Sequence, residues 1–589
     1  MAALWRKRWK PSKVVPQQFL QRFSDLHPLV VQILYNRGLR SEEEVAAFLN
    51  GTVASDNPFL MKGVDEAVTL IRQAITDRAS IAIYGDYDVD GVTATAILVQ
   101  TLRAQGANVR PYIPDRQEEG YGLNPDAIAG LAEDGVRMLI TVDCGIRSPQ
   151  EVALARQLGM QIIVTDHHHI GDGLPPANAV INPRRSDSRY PFIDFAGAGV
   201  AYKLAQALIR VNDKSPLRTT ATELFEEDLL DLVALGTVAD MVPLLGENHV
   251  LVRQGLAQLN AARRPGLAAL MQLIGTKPGT LTSTTLGYTL GPRLNAAGRI
   301  DDPLVAFDLL MASDFSGAVS LAQKLEAIND QRRACTMQVQ QKARALALGL
   351  DGDASEAEVD AFLDSEASPV PSLLFAASSE FPVGIIGLAA GRLVEEFSRP
   401  AVVVEMNGEF SKGSARSLPG FHITEALDCV RDLLVRHGGH EAAAGFTVRT
   451  EDLDVLRTRL VALAEEHLSD MRLTPTLDVD ADVPLDVLSW DLYRALDALS
   501  PFGYKNPTPL FTASRVRVVH AHAVGTDGRH LKMRVAGEGG RHWDAIAFRQ
   551  GEWITHLPPY VNLAYYLQRN DWNGQVNLQL NVQDIHPVK

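Results

Sequence analysis

The chain has 589 residues, of which 46% are hydrophobic and 22% charged, and carries a formal net charge of −15. That length exceeds what one core organises, so several domains of roughly 100–200 residues are expected, and the composition excludes a disordered or fibrous class. The acidic balance argues against passive coating of nucleic acid and confines any polyanion site to local basic patches.

In chain order, residues 1–50 read as an N-terminal extension. Its basic start, MAALWRKRWKPSK, lacks the apolar run of a secretory signal, and no segment approaches the roughly 18 apolar residues of a membrane span. Three scattered cysteines, Cys144, Cys335 and Cys429, form no CxxC pair, which excludes a disulfide framework and a zinc–thiolate site. A cytoplasmic protein with no membrane contact is expected.

Residues 51–275 form the next domain. From about 80 to 185 the runs SIAIYGD, VTATAILVQTLRAQ, VRPYIP, MLITVD, PQEVALARQLG and QIIVTD alternate strand and helix patterns. Such alternation predicts βαβ units and a doubly wound parallel sheet, followed by a mostly helical stretch. Residues 276–350 hold a linker motif and a polar connecting helix over 314–348. Residues 351–369 read as an acidic insertion, with seven acids and no Lys or Arg between 351 and 368. LLFAAS, GIIGLAAGRLVEEF and PAVVVEM then restart an α/β alternation, giving a second α/β domain over 370–465.

In the last segment, 466–589, five alternating runs predict a small β-barrel, of which the OB-fold is one form. Arg515, Arg517, Arg529, Lys532, Arg534 and Arg541, with Trp543, Phe548, Tyr565, Tyr566 and Trp572, give it the composition of a strand-binding surface. Half of those aromatics are expected inside, because alternate strand residues point inward.

Three acidic strand ends are the chemical signal. Asp86, Asp88 and Asp90 follow SIAIYG, Asp143 ends MLITVD, and Asp166 ends QIIVTD, where His167, His168 and His169 come next. Ligands of open α/β sheets bind at the carboxyl ends of strands, so these acids are expected to converge on one crevice. Packed carboxylates persist only when protons or cations neutralise them. Oxygen-rich ligands with a little imidazole favour Mn²⁺ or Mg²⁺, and a pair of such ions suits hydrolysis of a phosphodiester by an activated water. Asp240, in LGTVADMVPL, ends another apolar run, where a cap or turn is as good a reading as a metal ligand.

In that order, DYDVDG, TVDCG, TDHH and GTVADMVPL resemble the N-terminal motifs of the DHH phosphoesterase superfamily. GPRLNAAGRI, LEAINDQRR, GSARS and GGHEAAAGF resemble its RecJ family, the bacterial 5′ to 3′ exonucleases specific for single-stranded DNA. The resemblance spans nearly the whole chain and implies a DHH domain, a DHHA1 domain and an OB-like barrel. It implies two Mn²⁺ or Mg²⁺ ions per site, with Asp88 and Asp90 on different ions, Asp86 supporting the first, Asp143 bridging, and His167 and Asp240 completing the second. His168 would face the scissile phosphate, making Asp88, Asp90, Asp143 and His168 the catalytic set. Asp166 would orient its neighbours and His169 would stand outside the site.

Arg116, Tyr121, Arg293, Asn295, Arg299, Ser414, Arg416 and His440 are the expected substrate contacts, and the products are 5′-mononucleotides. By the same analogy a monomer is expected, working on single-stranded DNA with a 5′ end beside a helicase and a single-strand-binding protein, in recombination and mismatch repair. One departure is visible: Phe381-Pro382 stands where the family often carries a Trp-His pair before Gly384. A DHH hydrolase of short oligonucleotides or cyclic dinucleotides is the alternative, and the extra C-terminal domain argues against it.

Overall fold

The computed structural model describes residues 7–116, 119–120, 122–219, 221–363, 365, 370–468, 474–572 and 574–588. The chain divides into two compact units, Ser55–Val242 with Gln254–Leu473, and Met1–Ala54 with Pro243–Arg253 and Thr474–Lys589.

In the larger unit, five parallel strands lie in the order Asn108–Tyr112, Ser80–Tyr84, Met138–Val142, Gln161–Thr165 and Ala179–Ile181. The inner strands are continuously apolar because helices cover both faces. Pro125–Glu133 and Pro149–Gln157 pack on one side with Ala82, Leu139 and Ile162. Val89–Ala104 packs on the sheet from the other side, backed by Gly197–Lys214 and Leu230–Ala239. The doubly wound sheet expected from the sequence is present. Ser80–Tyr84 pairs on one side with the strand that follows it and on the other with Met138–Val142, so the connections part there. A crevice opens outside the carboxyl ends of those two strands.

The second α/β domain has a mixed sheet in the order Leu434–Gly439, Ala443–Arg449, Phe410–Arg416, Ala401–Glu405 and Leu374–Ser378, parallel only in the last pair. Val383–Phe397 covers one face and Leu453–Leu468 the other. Phe381, part of the noted departure, is 1% exposed and fills the core around Val383–Phe397, while Pro382 is the N-cap of that helix. The helix Phe315–Ala347 is present as a connector but is not simply exposed. Ala318, Ala322, Leu325 and Ile328, then Val339 and Ala343, make a buried stripe at helical spacing. The acidic insertion contains a helix, Glu356–Leu363, that buries Val359 in the same core. Asp360 and Asp353 pair with Arg344 and Lys342 at 3.3 and 3.6 Å, so the segment is fastened to the connector.

In the smaller unit, Phe511–Val524, His530–Ala536, His542–Ala547, Gln575–Pro587 and Tyr560–Trp572 form a barrel, closed by pairing of the first strand with the last. All five expected strands are there. Trp543 and Tyr565 are buried, whereas Phe548 is exposed. Lys532 and Arg534 stand opposite His522 and His520 on the neighbouring strand. The side chain of Trp572 lies outside the described residues.

The N-terminal residues are no appendage to this unit. Arg8–Pro11 pairs with Thr476–Val479, Trp9 Nε1 donates to Asp584 Oδ2 at 2.7 Å, and Val30, Ile33 and Leu34 enter the barrel core. Truncating Ile33, which is fully buried, to Ala is expected to cost about 2–5 kcal/mol, read as a lower urea midpoint for the smaller unit at unchanged slope. Among the described residues no helix is long and apolar enough to cross a membrane.

Candidate metal centre and phosphate pocket

The strand Ser80–Tyr84 runs into the tight turn Gly85-Asp86-Tyr87-Asp88, and Val89–Ala104 starts at once. Asp88 caps that helix, its Oδ1 accepting the Gly91 N–H at 3.0 Å. Asp90 lies in the first turn, where the helix dipole favours an anion. A Cβ on Gly91 would come within 2.7 Å of the Asp86 main chain, so the turn tolerates no side chain there. Asp143 follows its strand at φ 61°, a left-handed conformation that Asp tolerates better than most residues. Gly197 packs directly on it: a Cβ there would stand 2.6 Å from the Asp143 Cβ.

Asp90 takes both of its main-chain partners from a second helix. Its Oδ2 and Oδ1 accept the N–H groups of Gly197 and Ala198 at 2.5 and 2.8 Å, capping Gly197–Lys214, whose own N-cap Ala196 offers no side-chain bond. His167 Nε2 stands 3.1 Å from Asp143 Oδ1, 3.7 Å from Asp240 Oδ2 and 3.9 Å from Asp90 Oδ2. Asp240 is both the C-cap of Leu230–Ala239 and a member of this group.

Three overlapping sets of potential ligands result among the described residues: Asp86 with Asp88 and Asp143, Asp90 with His167 and Asp240, and Asp143 with His167 and His168. The third set joins the other two, since Asp143 also belongs to the first and His167 to the second, their Oδ1 and Nε2 atoms 3.1 Å apart. Asp86 Oδ1, Asp143 Oδ1 and His167 Nε2 are buried without a hydrogen-bond partner. Orphaned buried acceptors are rare and costly, and this oxygen-rich set with one imidazole matches what hard divalent cations take. The residues present therefore fit Mn²⁺ or Mg²⁺.

Burial, then the charge of Asp88, lifts Asp86 well above the ordinary carboxylate range and Asp90 to about 7. Burial and the surrounding acids likewise raise Asp143 and Asp240. Burial, then His168, pushes His167 down to about 3, which leaves a neutral imidazole whose other nitrogen bonds the Phe195 main chain. A ligand imidazole is commonly oriented in this way.

Asp166 orients His168 and not His167. Its Oδ1 meets His168 Nδ1 at 2.8 Å and accepts the His168 N–H at 3.0 Å, while Oδ2 accepts the Ile146 N–H at 2.9 Å. Burial lowers the His168 pKa, but the Asp166 hydrogen bond and the charges of Asp166, Asp86 and Asp90 outweigh it, and the net shift is upward. His169 is exposed, as expected, yet its ring lies 6.1 Å from that of His440 in the second domain.

The expected substrate contacts divide. Arg116 and Ser414 line a cavity of about 330 Å³ together with Tyr87, Lys412 and Arg436. Arg416 Nη1 donates to Ser414 Oγ at 3.0 Å. Gly387 admits this pair: a Cβ there would meet Arg416 Nη2 at 2.9 Å and Ser414 Oγ at 3.0 Å. Arg299 donates to the Gly384 carbonyl at 3.3 Å; burial, then Arg116 and Arg332, pushes its pKa down to about 9. Burial, then Arg116, lowers Arg416 too. Crowded cations that repel one another create a field that favours an anion.

Arg293 and Asn295 are used otherwise than expected. The Arg293 guanidinium grips both carboxylate oxygens of Glu326, Nη2 to Oε1 at 2.9 Å, and donates to the Thr289 carbonyl, bracing two helices. Asn295 Oδ1 accepts the Val89 N–H at 3.0 Å and so fixes the turn carrying Asp88 and Asp90. His440 is exposed, and burial, then His168 and His169, lowers its pKa. Tyr121 lies outside the described residues. Tyr87, Lys412, Arg436 and the Phe195 main chain were not anticipated. Lys412 could have been, since period-two alternation puts it on one face with Ser414 and Arg416.

Three family models match in order: the DHH family N-terminal domain over residues 80–237, the DHHA1 domain over 371–466 and the RecJ OB domain over 479–584. The single-stranded-DNA-specific exonuclease RecJ of Salmonella typhimurium is 36% identical over 578 residues, covering 96% of this chain and 97% of that protein. The crystal structure of RecJ from Thermus thermophilus in complex with Mn²⁺ superposes with a TM-score of 0.80 at 30% identity, over 99% of this chain and 80% of that one. The complex of the same protein with Mg²⁺ gives 0.74 at 28%, over 99% and 79%. Matched along nearly its whole length in both sequence and fold, the chain belongs to the RecJ family.

Proposed function

We propose that the chain is a metal-dependent exonuclease that degrades single-stranded DNA from a 5′ end to 5′-mononucleotides. The observation that carries this reading is the pair of ligand sets joined at Asp143, with Asp86 Oδ1, Asp143 Oδ1 and His167 Nε2 buried and unpartnered. Asp86, Asp88 and Asp143 would hold one Mn²⁺ or Mg²⁺, and Asp90, Asp143, His167 and Asp240 a second. When bound, such ions activate a water as nucleophile and offset charge on the phosphoryl and leaving oxygens.

The protein's own groups do the rest. His168, held by Asp166, donates a hydrogen bond to a non-bridging oxygen of the scissile phosphate. Arg116, Arg299, Ser414 and Arg416, with the start of Val383–Phe397 nearby, hold a terminal phosphate. His440 adds a donor from the second domain. The names of the matched relatives support single-stranded DNA as substrate. In the cell this reading implies a cytoplasmic monomer acting with a helicase and a single-strand-binding protein in recombination and mismatch repair.

The direct test uses a 3′-labelled, 5′-phosphorylated single strand with Mn²⁺. Shortening from the 5′ end with release of mononucleotides is expected; a start at the 3′ end, or equal cutting of blunt duplex, contradicts the reading. Two substitutions probe the parts. Arg416→Ala is expected to lower kcat/KM about 10–100-fold on 5′-phosphorylated strands and far less on 5′-hydroxyl strands. Asp166→Asn is expected to cost about 10–100-fold in kcat. Because Asp166 raises the His168 pKa, the same change should move the alkaline limb of the pH–rate profile to lower pH.

A further inference from the structure

One short segment brings three main-chain groups to the metal centre. The Phe195 main chain meets the second ring nitrogen of His167, and the N–H groups of Gly197 and Ala198 hold both oxygens of Asp90 at 2.5 and 2.8 Å. Ala196, between them, makes no side-chain cap. What fixes the segment is the ring of Phe195, fully buried and packed against Phe192 and Tyr190 at centroid distances of 4.8 and 5.8 Å.

An ammonium group sits against these rings. Lys203 is 2% exposed, with Nζ 5.4 Å from the centroid of Tyr190 and 5.8 Å from those of Phe195 and Tyr202. It donates to Gln206 Oε1 at 2.9 Å, Gln206 Nε2 donates to Glu226 Oε2 at 2.6 Å, and Arg210 Nε donates to Glu226 Oε1 at 2.6 Å. An apolar side chain of equal length would fill the space without desolvating a charge. The ammonium adds what an apolar group lacks, an attraction to the aromatic faces and a directed bond to Gln206.

We propose that Lys203 is a positioning residue for the metal centre. Through the Phe195 ring it sets the main-chain group that orients His167 and the helix start that holds Asp90. The proposal rests on the reading of these side chains as metal ligands. Partners that orient ligands, though they touch no metal, typically change affinity or activity by about 10–100-fold when lost.

The test is Mn²⁺ binding by the full chain, followed through the electron paramagnetic resonance of free Mn²⁺ and so independent of turnover. Lys203→Met is expected to bind Mn²⁺ about 10-fold more weakly. Phe195→Leu, which keeps the main chain and removes the ring, is expected to weaken binding in the same direction. The double variant should be no weaker than the weaker single variant, because both act along one route. Wild-type affinity in a folded Lys203→Met protein, or losses that multiply in the double variant, overturn the proposal. If Lys203→Met does not fold, Lys203→Gln, which keeps a polar group and removes the charge, decides: reduced affinity in the folded variant supports the proposal and unchanged affinity overturns it. A wild-type chain that binds no Mn²⁺ sinks the metal reading itself, a result distinct from equal binding by wild type and variant.

Discussion

Asp143→Asn is expected to lower single-turnover hydrolysis of a 5′-phosphorylated single strand by at least about 10²–10³-fold, the loss typical of one preorganised electrostatic group. Binding of the same strand in EDTA, measured by fluorescence anisotropy, should stay within a few-fold. The reason is position. Asp143 stands with Asp86 and Asp88 in one ligand set and with His167, 3.1 Å away, in another, so replacing its carboxylate weakens both sides of the centre. Asn is the clean replacement because it keeps the shape and tolerates the φ of 61° observed there. The same change removes a buried carboxyl that burial and the neighbouring acids disfavour in its charged form, so at alkaline pH the metal-free variant should melt higher than the wild type. A variant that turns over normally would remove Asp143 from its joining role.

Metal and pH are expected to act on stability in opposite senses. In the metal-free chain Asp86, Asp143 and Asp240 lie well above the ordinary carboxylate range and Asp90 near 7. A group whose folded pKa is raised contributes stability below its unfolded pKa and loses it as pH rises through the folded value. His167, pushed down to about 3, works the other way, but its contribution is flat once pH exceeds the ordinary imidazole value. Between about pH 6.5 and 8 the melting temperature of EDTA-treated protein should therefore fall, by a few degrees. With saturating Mn²⁺ it should rise over the same window, because metal competes with protons for deprotonated ligands and stabilises by mass action. Parallel pH trends with and without Mn²⁺ would contradict this.

The acid-bearing strand ends were legible in the sequence for a physical reason. SIAIY, MLITV and QIIVT are mostly apolar and buried because both faces of a parallel sheet are covered, and an acid at or just after the end of such a run sits at the mouth of the crevice. The division of labour among Asp166, His167 and His168 was legible only in part, because the acceptor for His167 is main chain, at Phe195, and main chain leaves no residue signature. Arg293 and Asn295 misled for a related reason. An Arg or Asn in a polar helix reads the same whether it faces a phosphate, Glu326 or the N–H of Val89, 206 residues earlier. The N-terminal residues read as an extension because their partners, Thr476–Val479 and Asp584, lie near the far end of the chain, beyond any local pattern. The departure at Phe381 became interpretable only with the fold, as a core residue beside Val383–Phe397.

The most direct test of the two-set metal centre is anomalous scattering from crystals of the protein soaked in Mn²⁺. Two peaks are predicted, one within ligand distance of Asp86, Asp88 and Asp143, the other within ligand distance of Asp90, His167 and Asp240, with Asp143 reaching both. A single peak, or a second peak away from His167 and Asp240, would contradict the account.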